Sequence, residues 1–331
     1  MTAPYVPVLH DAWGTAASEE DTLVQARFVA ATLEDCGFRT TIVALGPQPE
    51  QSLRSLVATR PRVVFNLVES LQGSGRKAHW VARAMERLDL PFTGAPAIAM
   101  AQTNSKLTCK RILHQQGLPT PAWSTGVWPV DQANDLVLVK SVWEHGSWGM
   151  DENALVPAGR AAAEIRRRQE RFGGRFFAEA YIAGREFNLA FLETDQGVQA
   201  FPPAEMVFVD YPDGKPHMLG YDDKWDDSSF GSRHTQRRFD FPGHDQPLLE
   251  RMTGLGRQVW AVFDLKGYVR VDFRVDGDGE PWIIDINVNP CLAPDAGFMA
   301  AAVRQGYTAG PLLERILRSA RPSSPDVDGW G

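Results

Sequence analysis

Cysteine is scarce: the 331-residue chain has three, Cys36, Cys109 and Cys291, far apart and odd in number. That argues against a disulfide framework and fits a reducing compartment, so a cytoplasmic location is expected. No apolar run approaches the roughly 18 residues needed to span a bilayer. The opening Met-Thr-Ala-Pro-Tyr-Val-Pro-Val-Leu-His carries neither the basic nor the apolar region of a signal peptide. Positive charge is also short: 34 Lys and Arg against 41 Asp and Glu give a net charge of −7. No basic field therefore favours nucleic acid or an anionic membrane surface. The seven histidines show no close metal-ligand spacing, so no zinc site is expected, and no segment repeats. The remainder is ordinary for a soluble globular protein, with 44% hydrophobic and 23% charged residues. The length suits two or three domains.

The chemistry concentrates near the C-terminus. Gly267-Tyr-Val-Arg-Val-Asp-Phe-Arg-Val275 and Trp282-Ile-Ile-Asp-Ile-Asn-Val-Asn-Pro290 alternate as strands do, and Asp276-Gly-Asp-Gly-Glu-Pro281 between them consists of turn formers. Val269, Val271 and Phe273 share one side of the first strand; Ile284, Ile286 and Val288 share one side of the second. A turn centred between Asp278 and Gly279 sets Val275 opposite Trp282, Asp272 opposite Asp285, and Arg270 opposite Asn287. Opposed Cβ atoms lie roughly 4.5–5.5 Å apart, so two carboxylates and an amide there call for a cation. Oxygen-only donors suit Mg²⁺, with phosphate oxygens and water completing its shell. Asp276, Asp278 and Glu280 mimic the start of a calcium loop. Pro281, however, stands where that loop needs glycine, and no Glu occupies its last position.

Upstream, Val6-Pro-Val-Leu9, Thr40-Thr-Ile-Val-Ala-Leu45 and Arg62-Val-Val-Phe-Asn-Leu-Val68 are strand candidates. Leu23, Ala26, Val29, Ala30 and Leu33 recur at helical spacing up to Gly37. With a helix over 79–88, residues 4–100 imply an open parallel sheet, where ligands meet loops at the strand ends. Glu19, Glu20 and Glu69 are placed for that. Residues 101–182 imply a smaller α/β unit: a helix over 104–116, the strand Leu136-Val-Leu-Val-Lys140, the loop Glu144-His-Gly-Ser-Trp-Gly-Met150 and a strand over 176–182. A lysine at a strand end before a glycine-containing loop suits a phosphate. Residues 183–317 add strands over 187–193 and 199–203, a helix near 248–263, the hairpin, and a terminal helix near 310–318. The long charged segment 219–238, with Lys224 near its start, is expected to be a lid loop. The tail from Arg321 is expected to be disordered.

Taken in order, these motifs resemble ATP-grasp enzymes of the D-alanine:D-alanine ligase type, over roughly residues 4–318. Arg62-Val-Val-Phe-Asn-Leu67 with Pro91-Phe-Thr-Gly94 resembles the end of the family's first domain. Asn104-Ser-Lys-Leu-Thr-Cys-Lys110 with Gly117-Leu-Pro-Thr-Pro121 resembles the start of its second. The resemblance implies an α/β (α+β) three-domain ATP-grasp fold: an N-terminal open parallel sheet in 1–101, a small lobe in 102–182, and a larger lobe with the metal hairpin in 183–318. The two lobes would clasp ATP, leaving a tail at 319–331. By this match Lys106 and Lys140 contact ATP phosphates under the loop holding Ser147 and Gly149. Glu179, Tyr181 and Ile182 clamp the adenine, and Glu186 holds the ribose. Lys224 matches the lysine of the family's mobile loop, Arg270 its arginine, and Asp272, Asp285 and Asn287 its magnesium ligands. The implied catalytic cations are Arg270 and Lys224; the implied cofactors are ATP and two Mg²⁺ ions, replaceable by Mn²⁺.

The departures fall on the amino-acid side. Val68-Glu69-Ser70 stands where the family usually has His-Gly, Gly146-Ser147 where it carries two serines, and Trp225 where a tyrosine follows the lysine. Asn289-Pro-Cys291 leads to Pro294-Asp-Ala-Gly-Phe298 without the serine that holds the acceptor's carboxylate. The expectation is an ADP-forming carboxylate–amine ligase, working through an acyl phosphate on amino acids other than two D-alanines. Arg270 and backbone N–H groups near Cys291 would face the oxyanion, with Cys291 itself a turn residue. Glu20 or Glu69 would anchor an ammonium group, and Asp295 would repel a carboxylate. An acceptor without a free carboxylate there, or a first substrate with an extra amine, follows. Partners are then small carboxylates and amines, without nucleic acid or membrane, and a homodimer stays open. So do a true D-alanine:D-alanine ligase, an ATP-grasp phosphotransferase and a non-catalytic nucleotide binder, although binding alone has no need of Arg270.

Overall fold

The computed structural model describes residues 3–11, 16–46 and 48–320, without the side chains of 16–21 and 130. The tail from Arg321 lies outside the described residues; the terminal helix Ala309–Ser319 precedes it. At the N-terminus a parallel sheet runs in the order Arg39–Leu45, Tyr5–Asp11, Phe65–Asn66. Tyr5–Asp11 is the middle strand, and its interior residues are all buried, which its apolar run anticipates. The third strand is shorter than expected. Phe65 and Asn66 form its ladder with Tyr5–Asp11, Arg62 N and Leu67 N add single bonds to Tyr5 O and Leu9 O, and Val64 bonds to Pro91 and Thr93. The helix expected over 104–116 spans Lys106–Gln115, and a further helix, Ala97–Asn104, precedes it. Ser105 breaks them with an extended backbone, and its side chain accepts from Thr108 N at 3.4 Å. This N-cap places Lys106 at the first position of the second helix.

The small lobe is an antiparallel sheet in the order Trp123–Ser124, Phe176–Ala180, Leu136–Ser141, Leu155–Pro157. Helix Ala161–Phe172 packs on it through a separate core of Val137, Val139, Ile165, Phe176 and Ala178. The large lobe is a six-stranded antiparallel sheet. Its main path runs Thr235–Arg238, Ala204–Phe208, Arg185–Thr194, Tyr268–Val275, Pro281–Asn287, and Gly197–Ala200 also pairs with Arg185–Thr194. The large lobe and the N-terminal sheet share a core in which Val6, Val8 and Leu33 pack with Tyr268, Phe298 and Leu313.

Two expectations need correction. Segment 219–238 is not one loop. It holds short helices Tyr221–Trp225 and Phe230–Arg233, and then the edge strand Thr235–Arg238. Edge strands tolerate exposed charge because only one side of their ladder is paired, so a polar sequence hid this one. The hairpin register also differs at its turn end. Arg270 faces Asn287 and Asp272 faces Asp285 as expected, but the register shifts after Asp272, so Phe273 faces Ile283 and Val275 faces Pro281. Ile284 is the extra residue of this β-bulge. Ile283, Ile286 and Val288 enter the core, and Ile284 turns out to line the cleft with Asp285.

Candidate active site

One cavity lies between the small-lobe and large-lobe sheets. Lys106, Lys140, Ser147, Glu179, Tyr181 and Ile182 line it from the small-lobe side. Glu186, Lys224, Arg270, Asp272, Asp285 and Asn287 line it from the other. Of the expected nucleotide, metal and catalytic residues, Gly149 alone is absent from this wall. It is instead a conformational requirement: its φ is +67°, and a Cβ there would stand 3.1 Å from the Phe176 ring. Its carbonyl accepts from the fully buried Arg168, which also pairs with Glu164 at 2.6 Å and Asp151 at 2.5 Å. That buried cation holds the glycine loop to the helix behind it.

The alternation of the hairpin delivers the metal face. Asp272 accepts from Arg270 Nε at 2.8 Å and Nη2 at 2.9 Å, and from Asn188 Nδ2 at 2.8 Å. Asn188 was not anticipated; it stands directly across from Asp272 on the neighbouring strand. Burial would raise the Asp285 carboxyl, but Lys106, His145 and Lys140 hold it well below the ordinary range. Asn287 Oδ1 accepts from Asn289 N at 2.9 Å. Among the described residues no three His, Cys, Asp or Glu side chains cluster tightly enough to hold a metal alone. Two carboxylates and an amide instead leave coordination places for phosphate and water, a donor set that fits Mg²⁺.

Glu179, expected in the adenine clamp, lines the cleft beside Tyr181 and Ile182 and has a second setting there. It is buried between two lysines, pairing with Lys110 at 2.8 Å and with Lys140. Burial would raise its carboxyl, and the two ammonium groups hold it low. The same carboxylate keeps Lys140 protonated against burial. Lys110, also bonded to Thr120 Oγ1 at 2.9 Å and Pro121 O at 3.1 Å, was named only within a motif. Lys106 donates to Glu144 O at 2.9 Å, under the glycine loop. Lys224 is exposed on the cleft wall; desolvation by the facing walls and the neighbouring Arg270 lower its pKa. Asp272 keeps Arg270 protonated despite burial.

At the other end Tyr181, Ile182 and Glu186 are organised by Arg274, which the sequence reading missed. Its guanidinium donates to Ile182 O at 3.0 Å, Glu186 Oε2 at 3.0 Å and His217 O at 2.8 Å. Arg270, Asp272 and Arg274 fall on one strand face by alternation, and that was the available signal.

The expected substrate residues part company. Glu69 lines a second cavity on the other side of the glycine loop. The Glu20 side chain lies outside the described residues. Asp295 is exposed and lines neither cavity; its carbonyl accepts from Arg237 at 3.4 Å. Arg237, unforeseen, approaches Arg270: a Cβ on Gly297 would lie 3.7 Å from one guanidinium and 4.0 Å from the other. Gly297 begins the helix Gly297–Arg304. The lid segment is docked on the glycine loop. Ser147 Oγ donates to Leu219 O at 3.1 Å, Tyr221 N to Met150 O at 2.8 Å, and Trp225 Nε1 to Gly146 O at 3.3 Å.

The family model described as D-ala D-ala ligase C-terminus matches residues 131–318. A D-alanine–D-alanine ligase of Synechococcus sp. (strain JA-3-3Ab) is 28% identical over 319 residues, 93% of this chain and 92% of that protein. One of Magnetococcus marinus is 30% identical over 245 residues, 72% of this chain and 74% of that protein. In structure, the D-alanine–D-alanine ligase of Bacillus anthracis complexed with ATP superposes with a TM-score of 0.74 at 18% identity, covering 96% of this chain and 97% of that one. Among the described residues no helix is long and apolar enough to cross a membrane. Fold, cleft and matched sequence agree, and the chain belongs to the D-alanine–D-alanine ligase family of ATP-grasp ligases.

Proposed function

We propose that this ligase joins a carboxylate to an amine at the expense of ATP, on amino acids other than two D-alanines. The carrying observation is the single cleft that gathers Lys106, Lys140, Lys224, Arg270, Asp272, Asp285 and Asn287. In the reaction a substrate carboxylate oxygen bonds to the γ-phosphorus, the bond to the bridging oxygen breaks, and ADP leaves an acyl phosphate. The amine nitrogen then bonds to the acyl carbon and loses a proton, and inorganic phosphate departs with its oxygen. Mg²⁺ held by Asp272, Asp285 and Asn287 would neutralise charge on the transferring phosphoryl group. Lys106 and Lys140 hold phosphates from the small lobe. Lys224 and Arg270 meet them from the large lobe, and preoriented cations need no rearrangement as charge develops.

Arg237 revises the acceptor. The absent serine had suggested an amine without a carboxylate, and two guanidiniums converging at a helix N-terminus supply the missing donors. An amino-acid acceptor is therefore part of the proposal. The test is phosphate release with ATP, Mg²⁺ and pairs drawn from L- and D-amino acids, followed by product mass. Phosphate release that requires both partners and yields an amide is the expected result. Phosphate transfer to a hydroxyl without free phosphate would favour the phosphotransferase. Highest kcat/KM with D-alanine alone, giving D-alanyl-D-alanine, would overturn the substrate reading.

A further inference from the structure

The second cavity, about 510 Å³, shares Glu144, His145 and Gly146 with the nucleotide cleft, so the two adjoin. Cavities of roughly 300–1,000 Å³ enclose ligands far larger than alanine. Its described wall is unusual in charge and in composition. Asp11, Glu69 and Glu144 contribute three carboxylates against one guanidinium, Arg175. Trp143, Trp148 and Trp225 contribute indoles from the small lobe and the lid. Indole faces attract cations and also pack against apolar stems. Asp11 is only half satisfied. Ser70 Oγ donates to Oδ2 at 2.6 Å, while the buried Oδ1 has no hydrogen-bond partner among the described residues. Burial accordingly raises the Asp11 carboxyl, and a cation beside it would favour its charged form.

We propose that this cavity seats the side chain of the carboxylate substrate, and that this substrate is a basic amino acid. Its stem lies against Trp143, Trp148 and Trp225, and its cationic end faces Asp11 and Glu69. The assignment rests on the ligase reading and narrows it. A neutral amino acid brings one ammonium group to a wall with a surplus of two carboxylates; a basic one brings two positive charges. Opposite charge across a contact gives specificity chiefly by penalising wrong partners, so acidic amino acids are excluded most strongly.

The test compares lysine, ornithine, arginine, alanine, phenylalanine and glutamate, in both enantiomers, as carboxylate substrates with a common amine acceptor. A basic amino acid should have the highest kcat/KM, at least about 10-fold above alanine, a gap of roughly 1.4 kcal/mol. Glu69→Gln and Asp11→Asn should each raise KM for the basic substrate about 10-fold or more while leaving KM for ATP unchanged. A best substrate that is neutral or acidic, still giving amide and ADP, would overturn this inference and leave the ligase intact. If no pair releases phosphate, calorimetric titration of lysine and alanine into enzyme saturated with Mg²⁺ and a non-hydrolysable ATP analogue decides separately. Tighter lysine binding, lost in Glu69→Gln, supports the site; equal binding refutes it.

Discussion

Glu179 shows how one side chain shapes its neighbours. It is a buried anion clamped by Lys110 and Lys140, with Lys110 as deeply enclosed as itself. Removing one partner of such a pair strands the other charge, at a cost of roughly 3–5 kcal/mol. Lys110→Met should therefore lower stability in urea titration, by less than that amount because Lys140 still pairs with Glu179, and raise KM for ATP because Lys140 alone must then neutralise it. The sign with pH follows. The Glu179 carboxyl is held below its ordinary 4.5, so its contribution is complete above that pH and is lost as pH falls through the lower folded-state value. Lys110→Met should begin its acid unfolding at a higher pH than the parent. The metal face gives a sharper expectation. Asp285→Ala and Asn287→Ala should each cut kcat by about 100-fold or more, since metal charge stabilisation contributes several kcal/mol, with circular dichroism unchanged. Near-parental turnover in both would dissociate the hairpin from catalysis. These hairpin residues were legible because alternation places i and i+2 on one face. Asn188, Arg237 and Lys110 were not, because each acquires its role from a partner brought near only by sheet pairing or helix packing.

At the scale of elements the lid is the informative case. Its sequence has the charge and length of a loop, yet the large-lobe sheet captures its last four residues as an edge strand. Pairing with Ala204–Phe208 decided the matter, and local composition carries no trace of a distant partner. Cleavage sites should divide accordingly. In limited trypsin digestion Arg233, at the end of a short helix, should be cut first, and the strand residues Arg237 and Arg238 later. Mg²⁺-ATP with substrates should slow the cut at Arg233 by giving Lys224 a phosphate partner. Equal rates at all three sites, with and without ligands, would count against a closing segment. Ser105 teaches a similar lesson: the helix was expected to start at Asn104, but the capping hydroxyl of Ser105 starts it at Lys106 and so fixes where that lysine points.

For the whole molecule, the N-terminal parallel sheet and the C-terminal hairpin followed from periodicity, while strands Trp123–Ser124, Leu155–Pro157 and Ala204–Phe208 and the sharing of cores did not. Val6 and Leu33 belong to the N-terminal segment, yet they pack with Phe298 and Leu313 from the far end of the chain. The small lobe keeps its own core. Units with separate cores unfold separately. In native-state hydrogen exchange, strands Leu136–Ser141 and Phe176–Ala180 should open at a lower free energy than Tyr268–Val275, and ATP should narrow the gap. Simultaneous opening of all three would argue for one cooperative body.

The bulge at Ile284 has a consequence for taking the protein apart. Without that one residue, Ile283 would run directly into Asp285, and the strand would alternate without interruption from Trp282 to Val288. Fold and binding are thus written in two reading frames, separated by a single insertion. Deleting Ile284 should leave the core, the hairpin pairing and the opposed pairs Arg270–Asn287 and Asp272–Asp285 in place while removing one apolar side chain from the wall of the cleft. The shortened protein is expected to melt cooperatively near the parent and to need at least about 10-fold more ATP, a loss of roughly 1.4 kcal/mol.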